Sequence, residues 1–216
     1  MPEIVSADLV APAGVERTYL VLDGSRAGAR VIQLATEVDG GGRIVAETVV
    51  GPDGIPRASE RMALVAREGG FALLEVETPE EDSRSLFAGL PFAPRALAPG
   101  AASEGSSPMR VVRISNGSSR AKGRAERSAR IRGAATVELA GERLESIVVE
   151  VSFSANLDAA RVRRTSELFV VPGRGVVAER WNERLVVLGL FPRSSGETVA
   201  LVGSVHVGSP PLEGAR

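Results

Sequence analysis

The sequence lacks cysteine, and with it disulfides, thiolate zinc sites, iron–sulfur clusters and a thiol nucleophile. It has a single histidine, His206, so a Ser-His-acid triad would have to be built on that residue. Ser204 shares a strand face with it, but no G-x-S-x-G elbow is present. His206 reads better as a strand residue than as a catalytic one. Aromatic residues make up only 4% of the chain, so the core has to come from Val, Leu, Ile and Ala. Trp181 and Tyr19 are single representatives of their types, and Lys122 is the one lysine among 26 basic residues. No apolar run approaches the roughly 18 residues of a membrane-spanning helix. No phosphate-binding glycine loop and no Asp-x-Asp-x-Asp-Gly calcium loop occur. No cofactor is expected.

The 216 residues are 44% hydrophobic, which is enough to bury a sizeable core. The net charge of −1 gives no strong overall field, but the halves differ. Residues 1–108 carry 9 basic and 16 acidic side chains, a net −7; residues 109–216 carry 17 and 11, a net +6. Such halves either face one another or form unlike surfaces.

Turn residues punctuate the chain regularly. Asp23-Gly24, Asp39-Gly40, Asp53-Gly54 and Glu68-Gly69-Gly70 recur every 14 to 16 residues. Each supplies the positive φ that a tight hairpin needs. Between them, segments such as Ile32, Leu34, Thr36 and Val38 alternate with Gln33, Ala35 and Glu37, the period of a half-buried strand. In the second half Gly141, Leu157 and Gly173 keep the 16-residue spacing. The pattern predicts an all-β chain: a curved antiparallel meander of about ten strands, closing into a half-barrel or partial barrel. At most one short helix is expected, near 80–89, because Pro79 precedes Glu80, Glu81 and Asp82. That acidic cluster reads as a solvated helix start rather than a calcium site. A Pro/Gly/Ser-rich loop, 99–108, is expected to join meander halves 1–98 and 109–216 within one domain. The tail from Ser209 is expected to fray.

Two surfaces carry candidate chemistry. Glu179, Trp181 and Glu183 share one strand face, a combination that could form a carbohydrate platform or a carboxylate pair; the simpler reading is an exposed face. From Arg110 to Arg132 eight basic residues, including Arg124, Arg127 and Arg130, stand with only Glu126 among them. Basic stretches bind phosphate backbones, but no aromatic side chain interleaves for base stacking, which argues against nucleic acid. The stretch could contact the acidic half, a protein partner, anionic lipid headgroups at a membrane surface, or water.

The segment Ser166-Glu167-Leu168-Phe169-Val170-Val171-Pro172-Gly173-Arg174-Gly175-Val176-Val177-Ala178-Glu179 is a strand, a Pro-Gly-x-Gly turn and a second strand. It resembles the closing hairpins of bacterial cell-envelope domains similar to the lipoprotein-carrier (LolA/LolB-like) half-barrels. The strand 19–22, with its glycine turn and long second strand, suits the same plan. The N-terminal helix usual in those carriers is not evident. The resemblance implies a periplasmic or outer-membrane-associated protein whose signal or lipid-anchor segment has been removed. The expected function is non-enzymatic: binding of an apolar ligand, such as a lipid or lipoprotein acyl chain, or of a protein partner. A structural module acting through strand edges and a carboxylate-dependent hydrolase around Trp181 are the alternatives.

Overall fold

A computed structural model of the chain describes residues 2–187 and 192–207. The turn chemistry acts as the sequence implies. Gly24, Gly40, Gly54 and Gly173 all take positive φ between neighbouring strands. The strands are β1 (Ile4–Val5), β2 (Val15–Val21), β3 (Arg30–Val38), β4 (Gly42–Val50), β5 (Pro56–Arg67), β6 (Gly70–Thr78) and β7 (Ser83–Pro94). They continue as β8 (Ala96–Leu97), β9 (Ala102–Arg113), β10 (Ser119–Leu139), β11 (Glu142–Leu157), β12 (Ala160–Val171), β13 (Gly175–Val187) and β14 (Arg193–His206). A single helical turn, α1 (Ser6–Leu9), follows β1.

Twelve of these strands close into one antiparallel barrel, in the order β10-β11-β12-β13-β14-β2-β3-β4-β5-β6-β7-β9 and back to β10. The expected half-barrel of about ten strands is therefore corrected to a closed one. The closure is made by strands from opposite ends of the chain, Leu20 opposite Ala200, while β7 and β9 pair past the short β8, Phe87 opposite Met109. Hairpin periodicity reports only neighbouring strands, so it leaves closure open.

The expected helix near 80–89 is also corrected. Only Pro79–Glu81 forms a 3-10 turn, ended by Asp82 in the left-handed conformation. The Asp82 carboxylate accepts hydrogen bonds from the Ser115 backbone N–H at 2.7 Å and the Ser115 hydroxyl at 2.9 Å. It also pairs with Arg113 and Arg120, joining the acidic half to the basic half. The chain then continues as strand β7, in which Pro91 borders a register shift and Pro94 ends the strand.

The predicted loop 99–108 is mostly strand β9. Its small residues answer to space rather than flexibility. A Cβ on Gly105 would lie 2.4 Å from the Pro91 ring, where the lower part of β7 crosses it. Ser107, fully buried, accepts from the Ala88 N–H at 2.8 Å. His206 ends β14, and its side chain lies outside the described residues, as does the tail from Ser209.

Turns alternate between the two ends of an antiparallel barrel. One end carries residues 39–41, 68–69, 95–101, 140–141 and 172–174. The N-terminal segment, residues 4–11, enters there. Ile4 pairs with Leu97, and both pack on Ala129, Ile147, Val149 and Val170. Val10 and Ala11 join Ala35, Leu64, Leu90 and Ala125. Asp8 is buried, and its carboxylate accepts from the Gly173 N–H at 2.9 Å. Ser6 donates its N–H to the Arg95 carbonyl at 3.2 Å. This end of the barrel is thus filled by a segment that belongs to no wall strand.

Candidate functional site

Above the filled end, the inner wall becomes polar. The register dictates which residues meet. Arg17 stands opposite Gln33, Gln33 opposite Glu47, and Glu47 opposite Glu60, forming one row across β2 to β5. These share a face with buried Tyr19, Val45 and Leu64, so the row points inward. On the other wall, Ser166 stands opposite Trp181 and Arg164 opposite Glu183. Val151, the partner of Ser166, is buried, so this face is also interior.

Short contacts organise the second wall. Ser166 donates its hydroxyl proton to Glu179 Oε1 at 2.7 Å, and Arg164 donates to the same oxygen at 3.0 Å. The Arg164 guanidinium lies 4.6 Å from the Trp181 ring centroid, a cation–π contact. On the first wall Gln33 Nε2 donates to Glu47 Oε1 at 2.7 Å. Arg17 donates to the Arg174 carbonyl at 2.7 Å, and the Tyr19 hydroxyl donates to the Val176 carbonyl at 3.1 Å.

The electrostatics follow from enclosure. Burial raises Glu47, and its hydrogen bond from Gln33 offsets part of that rise. Burial, with Glu47 directly opposite, pushes Glu60 up to about 7. Glu60 makes no hydrogen bond or ion pair among the described residues, whereas Glu179 is held by Arg164 and Ser166. Burial also raises the Tyr19 phenol. Among the described residues no three acidic or histidine side chains converge closely enough to hold a metal ion.

The barrel wall sorts the residues that the sequence singled out. Glu179, Trp181 and Glu183 do share a face, but it is the interior one; their reading as an exposed face is corrected. Arg127 also points inward, stacking at 4.6 Å on Phe92 and donating to its carbonyl. Burial lowers Arg127 to about 10. Arg124 and Arg130 lie on the outside, Arg124 on the Ser106 hydroxyl and Arg130 on Glu150. The basic stretch is therefore no single surface. Glu47, Glu60 and Arg164 escaped the sequence reading because each looks like an ordinary polar residue in an alternating strand. The signal was present in the alternation: Glu47 and Glu60 fall in phase with Val45, Val49, Met62 and Leu64.

No family model matches the sequence, and no curated protein matches it either. Two solved structures are similar in shape. One is a lipoprotein candidate from Parabacteroides distasonis ATCC 8503: TM-score 0.47, 10% identity, covering 91% of this chain and 97% of that one. The other is the hypothetical lipoprotein YmcC from Escherichia coli: TM-score 0.41, 11% identity, covering 91% and 92%. At this distance neither says what this chain binds or where it acts.

Proposed function

We propose that this protein is a non-enzymatic cell-envelope protein that takes an apolar ligand, such as an acyl chain, into its barrel. One observation supports the reading above others. The apolar end of the interior is packed by residues 4–11 together with the wall, where small side chains such as Ala35, Ala93, Ala125 and Ala129 stand among larger ones such as Leu64, Leu90, Ile147 and Val149. An apolar segment that is not part of the wall could move out, and its place would then suit an apolar ligand. The segment is tied down locally, by the Asp8–Gly173 contact, the Ser6–Arg95 contact and a two-residue ladder.

The test uses the absence of native cysteine. Val5 and Ala96 are ladder partners and both exposed. Antiparallel partners lie about 4.5–5.5 Å apart at Cα, within disulfide range. In a Val5→Cys, Ala96→Cys variant the segment is tethered when oxidised and free when reduced. A dansyl-labelled fatty acid is expected to bind the reduced form and not the oxidised one. No binding in either form, together with no lipid in a mass-spectrometric extract of the purified protein, would sink the reading.

The edge-binding alternative is restricted by the closed barrel to segments such as Gly133–Leu139 of β10 and Glu142–Ser146 of β11, which pair only with each other. The hydrolase alternative keeps one supporting observation: Glu60, near 7, lies within electrostatic reach of Glu179, which pairs with Arg164 at 3.0 Å. Release of nitrophenol from nitrophenyl glycosides, abolished by Glu179→Gln and by Glu60→Gln, would favour it over the binding reading.

A further inference from the structure

The outer face of β9 to β14 carries two polar rows with no apolar member. The first runs Ser106, Glu126, Ser154, Arg163, Arg184 and Ser194, each the direct ladder partner of the next. The second runs Glu104, Ser128, Ser152, Thr165, Asn182 and Gly196 in the same way. Two shallow cavities, of about 690 and 460 Å³, adjoin on these rows and share Arg163 and Thr165. The surface is therefore a trough lying across the strands.

Its charges are arranged unlike those of the adjoining row that holds Arg130 and Glu150. In the next row Arg130 pairs with Glu150, and Glu167 with Arg180, so each charge is neutralised by its neighbour. In the trough Glu104, Glu126, Arg163 and Arg184 form no ion pair among the described residues. Arg163 and Arg184 stand directly opposite each other, an arrangement that destabilises a sheet when nothing neutralises it. The acidic pair occupies β9 and β10, with the Arg124 guanidinium on Ser106 at its edge, and the basic pair occupies β12 and β13; the hydroxyls of Ser128, Ser152, Ser154 and Thr165 lie between. Glu126 and Arg163 are two strand spacings apart, about 10 Å.

We propose that this trough binds a short zwitterionic peptide. Its free amino group would lie on Glu126, and its carboxylate on Arg163, with the Arg184 guanidinium reaching it from the neighbouring strand. An extended chain covers about 3.3–3.6 Å per residue, so three residues span about 10 Å between their terminal charges. Ser152 and Ser154 can both donate to and accept from the peptide groups in the middle. A carboxylate between the two guanidiniums removes their mutual repulsion and takes charge-assisted hydrogen bonds. This site is separate from the interior and independent of what the barrel holds.

Titration calorimetry with trialanine, N-acetyl-trialanine and trialanine amide tests it, using the parent protein, Glu126→Gln and Arg163→Gln. All substitutions fall on exposed positions, and an unchanged melting temperature verifies the fold. Trialanine should bind the parent. Acetylation should weaken binding about tenfold in the parent but not further in Glu126→Gln, and amidation should do the same with respect to Arg163→Gln. Absence of trialanine binding overturns the proposal. So does equal binding of the blocked and free peptides, or of the variants and the parent.

Discussion

The two levels of the barrel interior are built from the same strands yet obey opposite rules. At the filled end, Ile4, Leu97, Val149 and Val170 are buried against one another, and stability comes from removing apolar surface from water. One level up, Glu47 faces Glu60, and Arg164 bridges toward Glu179 and Trp181. There the fold encloses charge, at a cost that only partial pairing offsets. The contrast teaches that position inside this barrel does not set polarity. A wall made of alternating residues can hold an apolar plug at one height and a charged layer at the next.

The sharpest way to break the contrast is to make the apolar end polar. Val149→Asp would place an unpaired carboxyl against Ile4 and Val170, and should cost about 4 kcal/mol or more. Denaturant unfolding would measure it, and a loss under 1 kcal/mol would mean that the end is not sealed.

The charged level makes a second, pH-dependent prediction. The folded pKa of Glu60, about 7, exceeds its unfolded value of 4.5, so the fold favours the neutral acid. Stability is then greatest below about 4.5 and falls as the pH rises toward 7. Glu60→Gln removes that slope and should stabilise the protein at pH 8 by up to about 3 kcal/mol. Melting temperatures measured from pH 4 to 8 should converge for the two proteins at the acid end. Parallel curves would show that Glu60 is not held neutral.

Asp8→Ala tests how the plug is held at the filled end, because Asp8 ties it to the turn that leads into β13. Its loss leaves the Gly173 N–H without that partner and should cost about 1–2 kcal/mol. The smallest effect is expected outside the barrel. Arg130→Ala removes an exposed pair with Glu150 and should change stability by less than about 1 kcal/mol, with the change shrinking further in salt.

Much of the scaffold was legible. Asp-Gly turns marked hairpin ends because positive φ has few residue solutions, and period-2 alternation marked the strands. The misreadings have local causes. Residues 99–108 look like a linker because Gly105 and Ser107 are small, but they are small because β7 crosses them. Residues 83–87 look helical after an acidic Pro-led turn, but pairing with β9 draws them into a strand. The site was half legible. Glu179, Trp181 and Glu183 were grouped correctly by alternation, but alternation cannot say which of two faces is inside. Their partner Arg164, and the facing pair Glu47 and Glu60, required the register.

What the sequence determined alone was local: strand, turn, strand, in antiparallel succession, with no thiol and a small-residue core. Those features follow from backbone sterics and side-chain period, which act over a few residues. Tertiary structure decided everything that depends on meeting at a distance. It closed the sheet through β14 with β2 and β9 with β7, and drew residues 4–11 inside. It turned Trp181 inward and left two rows of unlike charge facing out. Contacts between residues far apart in the chain leave no periodic trace in it, so only the folded barrel could reveal them.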